Sequence, residues 1–152
     1  MPSDARKTAI LSLENHVFVS LVKAADSLSQ DVEELLKEYG LTGTQYNVLR
    51  ILRGAEPQGL ACREVGERMI SHDPDMTRLL DRMEKRGLIT RERGEDDRRV
   101  VRARATRAGL ALLRKLDEPV RLLHERQFRH LPAAQLKLLT QLLDLLAARM
   151  TR

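Results

Sequence analysis

One stretch of this chain abandons the helical spacing of its apolar residues. Leu88 to Arg93 alternates in polarity, and after Gly94-Glu95-Asp96-Asp97 the stretch from Arg99 to Ala105 alternates again. A period of two marks a half-buried strand, and an acidic, glycine-containing connection between two such runs marks a hairpin. Val101, Ala103 and Ala105 are expected on one face, with Val100, Arg102 and Arg104 opposite, which makes the outer face arginine-rich. The fold class is then mainly α with a small β-hairpin.

The rest reads as helix. From about residue 8 to 38, Leu13, Val17, Leu21, Ala25, Leu28, Val32 and Leu35 recur at helical spacing, and Gly40 suits a C-terminal cap. At about 1.5 Å per residue such a helix reaches roughly 45 Å, more than the roughly 30 Å of a small domain, so part should bury its stripe against a second copy of the chain. Thr42 and Gln45 have capping-box spacing ahead of Tyr46, Leu49 and Leu52. A third helix fits Ala61 to Ile70, with Val65 and Met69 inward and Gly66 where another helix could cross. Asp73 and Pro74 look like a cap and first helical position for a further helix closed by Gly87. In it Met76, Leu79, Leu80 and Met83 point inward, while Asp75, Thr77, Arg78, Asp81, Arg82 and Lys85 face out. Thr106 starts a helix that Pro119 should kink or divide. After Pro132 the last helix carries seven leucines between Leu136 and Leu146, enough to cover more than one face, so packing on two sides is expected.

Charge locates the interaction surface. Arg supplies 21 of 27 cations, a bias that suits bidentate recognition of phosphate or base edges. Between Arg78 and Arg107 eleven cations face six acids, and elsewhere sixteen cancel sixteen, so the whole net charge of +5 sits in that segment. A run of mixed charge is by count alone a solvated face; concentrated on a polar helix and a hairpin, it fits a polyanion partner. The scarcity of aromatics, two Tyr, two Phe and no Trp, argues for duplex rather than single-strand recognition, which relies on stacking.

Two helices, an outward-facing polar helix and a basic hairpin form the order of a winged helix-turn-helix. The residues resemble the MarR (multiple antibiotic resistance regulator) family from about Leu13 to Met150. The sharpest matches are Met76 to Ile89, similar to the family's recognition helix and following strand, and Asp97-Arg98-Arg99 with Thr106 and Gly109, similar to its wing signature. The resemblance implies a single MarR-type domain over 1–152: N- and C-terminal dimerisation helices at about 8–38 and 107–150, and a winged lobe at about 42–106. It also implies a homodimer on the double-stranded DNA of a pseudopalindromic operator, action more often as a repressor, and often a small-molecule effector between the dimerising and DNA-reading parts. His16 and Tyr46 lie in the elements bordering that cavity without identifying an effector site.

DNA-binding candidates are His72, Asp75, Thr77, Arg78, Arg82, Lys85, Asp97, Arg98 and Arg99. Thr77 and Arg78 match family contact positions, and Arg82 lies one turn beyond Arg78. The family's wing pairs an aspartate with an arginine two positions on, which implies that the Asp97 carboxylate orients the Arg99 guanidinium. Asp73 is read as structural; Asp75 either complements the helix dipole or accepts from a cytosine amino group. His72 is read as a contact to phosphate or to its own turn.

No nucleophile elbow, phosphate loop or catalytic carboxylate pair is present, so no enzyme and no cofactor are expected. His16, His72, His124 and His130 lie in different elements, and no metal site is expected. Cys62 excludes an internal disulfide and reads as a nearly buried, inert thiol. No apolar run approaches a membrane span, and a cytoplasmic location is the default. The competing reading is a winged-helix protein-interaction module without DNA binding.

Overall fold

The computed structural model describes residues 12–94 and 97–148. Helix α1 (Leu13–Lys37) starts at Ser12, whose side chain accepts from the Asn15 amide. Residues 8–11 of the expected helix lie outside the described residues. The chain leaves α1 through Gly40, at φ 68°, while the Leu41 amide donates to the Leu36 carbonyl at 3.1 Å. Only a residue without Cβ adopts that left-handed conformation at little cost, which is why the helix stops there.

Helix α2 (Gly43–Arg53) opens on the expected capping box: the Gln45 amide donates to Thr42 Oγ1 and the Thr42 amide donates to Gln45 Oε1. Strand β1 (Leu60–Ala61) follows, then α3 (Cys62–Arg68), α4 (Met76–Lys85), β2 (Ile89–Arg93), β3 (Val101–Ala105), α5 (Arg107–Phe128) and α6 (Ala133–Ala148). β1 was not foreseen. Ala61, given to the start of the third helix, and Leu60 before it pair with β3 instead, so the described residues form a sheet of three antiparallel strands in the order β1-β3-β2.

Hairpin register sorts its side chains. Ile89 faces Ala105, Arg91 faces Ala103 and Arg93 faces Val101, whereas Thr90 with Arg104 and Glu92 with Arg102 form the other face. Ile89, Ala103 and Ala105 are buried, but Val101 is 37% exposed, because the hairpin has by then run past the core. The side chains of Arg102 and Arg104 do lie on the outer face, where both donate to the Gln58 carbonyl.

The core is shared by α2, α3, α4, the sheet and α5, with Leu49, Leu52, Val65, Leu79, Met83, Leu113 and Leu116 fully inside. Thr106 holds the hairpin's two ends together. Its amide donates to the Leu88 carbonyl at 3.0 Å, its hydroxyl donates to the Gly87 carbonyl at 2.6 Å, and the same oxygen accepts from the Gly109 amide at 3.1 Å as the cap of α5. A Cβ on Gly109 would stand 2.3 Å from the Leu88 carbonyl oxygen, so only glycine lets α5 approach this closely. At Gly66, by contrast, an added Cβ would meet Met76 at an ordinary 3.5 Å.

α5 runs unbroken with Pro119 inside it. The helix α6, expected to pack on two sides, buries none of its residues within one chain.

Candidate nucleic-acid interface

Helix α4 separates apolar and polar residues completely. Leu79, Leu80 and Met83 are buried, and Thr77, Arg78, Arg82 and Lys85 are exposed on the opposite side. The α4 start lies two residues later than expected. Asp75 is the cap, accepting from the Arg78 amide at 3.1 Å, while Asp73 Oδ1 accepts from the Asp75 amide at 2.8 Å in the preceding turn. Both acids close a local ring with a backbone N–H, but Asp75 itself has a non-helical backbone, at φ −130° and ψ 61°, so the helix begins after the second.

Asp75 also makes an ion pair with Arg78, Oδ2 to Nε at 3.1 Å. This carboxylate holds one edge of the guanidinium and leaves both terminal nitrogens directed elsewhere, the pair that a guanine O6 and N7 would accept from. The pair is well exposed and contributes at most about 1 kcal/mol to stability, so its effect is orientation. His72 is exposed just upstream of the cap.

Asp97, Arg98 and Arg99 are exposed at the wing tip, where the Val100 amide donates to the Asp97 carbonyl at 3.0 Å and the Gly94 amide to the Val100 carbonyl at 2.8 Å. The implied contact between the Asp97 carboxylate and the Arg99 guanidinium is absent. Asp97 Oδ1 accepts from the Arg99 backbone N–H at 2.9 Å instead. The carboxylate shapes the turn, and the charged fork extends free of it; the device expected in the wing is found at Asp75 and Arg78 on α4. Glu95 and Asp96 lie outside the described residues.

Arg91 also departs from expectation. Counted with the surface cations, it lies on the core-facing side of β2, its guanidinium held by Glu84 and Asp81 of α4. Hydrogen bonding to Glu84 raises its pKa further. The sequence held a signal for this: Arg91 has the parity of Ile89 in an alternating strand, and two acids three apart precede it on a helix.

α2 links the end of α4 to α1. Arg86, at the end of α4, donates to Gln45 Oε1 at 3.1 Å, and Glu33 of α1 accepts from the Gly43 amide at 2.9 Å. Beside them a cleft of about 380 Å3 opens between α1, α2, α5 and the segment before α4, lined by Val32, Tyr46, Arg50, Ile70, His124 and Phe128 among others. Tyr46 borders this cleft and His16 does not. His124, read from sequence as solvated or core-edge, lines it and shares a 3.0 Å hydrogen bond with Gln127. Cys62 is half-buried rather than nearly buried, and burial pushes its thiol pKa up against the opposing pull of Arg91. Among the described residues no group of three or more His, Cys, Asp or Glu is placed to hold a metal ion, and no helix is long and apolar enough to cross a membrane.

A sequence profile of the MarR family matches residues 41–101. The HTH-type transcriptional repressor IacR of Pseudomonas putida is 28% identical over 131 residues, 86% of this chain and 77% of its own length. The Organic hydroperoxide resistance transcriptional regulator of Bacillus subtilis is 32% identical over 105 residues, 69% of this chain and 70% of its own length. Among solved structures, a MarR transcription factor from Planctomyces limnophilus is similar at 41% identity with a TM-score of 0.69, covering 89% of this chain and 98% of that one. A mutant E. coli MarR complexed with operator DNA shares the fold at 23% identity with a TM-score of 0.79, covering 90% of this chain and 99% of that one.

Proposed function

The chain belongs to the MarR family of transcriptional regulators, and we propose that it acts as a dimeric, cytoplasmic repressor that reads duplex DNA with α4 and the wing. One observation carries this reading. α4 keeps every buried side chain on one side and offers Thr77, Arg78, Arg82 and Lys85 on the other, and the wing tip offers Arg98 and Arg99. A helix of this width fits the major groove, and the narrow minor groove attracts arginine through its negative potential. His72 precedes α4 where a phosphate would pass. Asp75 orients Arg78, and Asp97 orders the wing turn.

Two copies joined through α1, α5 and α6 would set two α4 helices on half-sites one helical turn apart, about 34–36 Å. The repressor sign follows from relatives such as IacR. The cleft at Tyr46 and Arg50 supports an effector, since a molecule there would touch both the long helices and the segment leading into α4.

A fluorescence-anisotropy titration against duplexes from upstream of its own gene tests the reading. Tight, steeply salt-dependent binding is expected, weakened by about 1–3 kcal/mol in Arg78→Ala with relaxed discrimination at one base pair. Equal binding by the parent, Arg78→Ala and Arg99→Ala would remove these roles. No binding to any fragment at any salt would favour a protein-interaction module.

A further inference from the structure

Both acids in the second half of α4 turn toward β2. Glu84 Oε1 accepts from the Arg91 backbone amide at 3.0 Å, and Oε2 accepts from Nε at 3.1 Å and Nη2 at 2.7 Å. Asp81 Oδ1 accepts from the same Nη2. The Arg91 side chain is only 21% exposed. Among the described residues β2 is an edge strand, paired with β3 alone, so Glu84 stands where a neighbouring strand would otherwise accept from Arg91. Without these bonds α4 and β2 would be joined mainly through the Gly87 turn and the apolar contacts beneath it.

We propose that Arg91 is a positioning residue which, bracketed by Asp81 and Glu84, sets the angle between α4 and the wing so that both grooves of a duplex are met at once. Charge-assisted, forked bonds fix direction as well as distance, and three of them converge on one guanidinium here. The inference rests on the DNA-binding reading above, yet it makes a claim that surface electrostatics contradicts in sign. Asp81 and Glu84 are negative charges on a helix offered to a polyanion, and removing them should tighten binding if charge alone matters. If they act as a bracket, removing them loosens it.

The test uses the full chain and an operator duplex, with Asp81→Asn/Glu84→Gln as the main variant. The bracket requires it to bind about tenfold more weakly than the parent, despite two fewer negative charges. In that background Arg99→Ala should cost less than about threefold, against about tenfold in the parent, because a loose wing has already lost most of its contact. Parent-like or tighter binding, or an undiminished Arg99→Ala loss, overturns the proposal. Arg91→Met should match the double variant. Arg91→Lys should recover to within about threefold of the parent, since an ammonium can still hold one carboxylate; no recovery overturns it. Should the double variant fail to fold, Glu84→Gln alone keeps an acceptor for the Arg91 amide and must bind more weakly than the parent. A parent that binds no duplex defeats the DNA reading rather than the bracket, which then stands or falls on amide exchange in β2: faster by about tenfold in the double variant if correct, unchanged if wrong.

Discussion

The winged lobe and the flanking helices are made of similar residues and reach opposite ends. In the lobe, α2, α3, α4 and the sheet enclose leucines with no exposed surface; in α6, seven leucines between Leu136 and Leu146 leave none buried, and α1 buries only Leu36. The lobe completes its core inside one chain, with α5 and Leu36 of α1 supplying the last side of it. The flanks carry an unmatched apolar surface, with Leu13, Phe18, Leu138, Leu142 and Leu145 all more than half exposed. Bare apolar side chains in this number are the mark of an association surface, so what divides the two regions is whether one chain completes the packing by itself.

The largest test of that contrast is Leu138→Glu with Leu142→Glu, one turn apart on α6. If this face is a two-fold interface, each side chain enters twice, and at about 1.5–3 kcal/mol per leucine the loss is about 6–12 kcal/mol. Light scattering should then find a monomer at micromolar concentration whose lobe is still folded by circular dichroism. A dimer that persists would break the comparison. Next comes Leu49→Ala, in the closed lobe, which should lower stability to urea by about 2–5 kcal/mol through the cavity it leaves. The same change at Leu145, 68% exposed in one chain, should leave lobe unfolding in a monomeric background within about 0.5 kcal/mol of its parent.

Smaller effects sharpen the lobe alone. Asp75→Ala removes the cap of α4 and should cost about 1 kcal/mol by thermal unfolding, whereas Asp75→Asn keeps the cap and loses only the hold on Arg78. The two variants therefore separate helix stability from DNA discrimination. The smallest effect concerns Cys62. Burial favours its neutral thiol, so iodoacetamide should react with the native protein half-maximally at a higher pH than with the unfolded chain. In the window between those two values the native state holds the extra proton, so stability declines slightly as pH rises through it.

Much of the lobe was legible because its signals are local. Thr42 with Gln45 needs only three residues of spacing to specify a box, and Gly40 and Gly87 end helices where the chain must turn left-handed. What escaped was non-local or degenerate. β1 is two residues long, too short for alternation to register, and exists because Ala103 and Arg102 stand opposite it. The cap moved from Asp73 to Asp75 because either can close the same local ring. Arg91 was counted as surface charge because burial of a cation depends on partners seven and ten residues away. Of the DNA-reading candidates, the α4 face was readable by period, but the partner of Asp97 was not, since a carboxylate reaches a backbone amide and a guanidinium equally well.

The junction at Thr106 makes the wing a cantilever. Both strands meet at that junction, and five residues at about 3.3 Å each carry the tip roughly 17 Å beyond it, steadied on the way by the pairing of β3 with β1 and by the carboxylates that hold Arg91. A rotation of about 10° at the base would swing that tip by roughly 3 Å, half the about 6 Å width of a B-DNA minor groove. On a duplex read as proposed, whether Arg99 would arrive in the groove or strike its wall depends on stiffness at these holds, the Thr106 hydroxyl 2.6 Å from the Gly87 carbonyl among them, as much as on the residues at the tip.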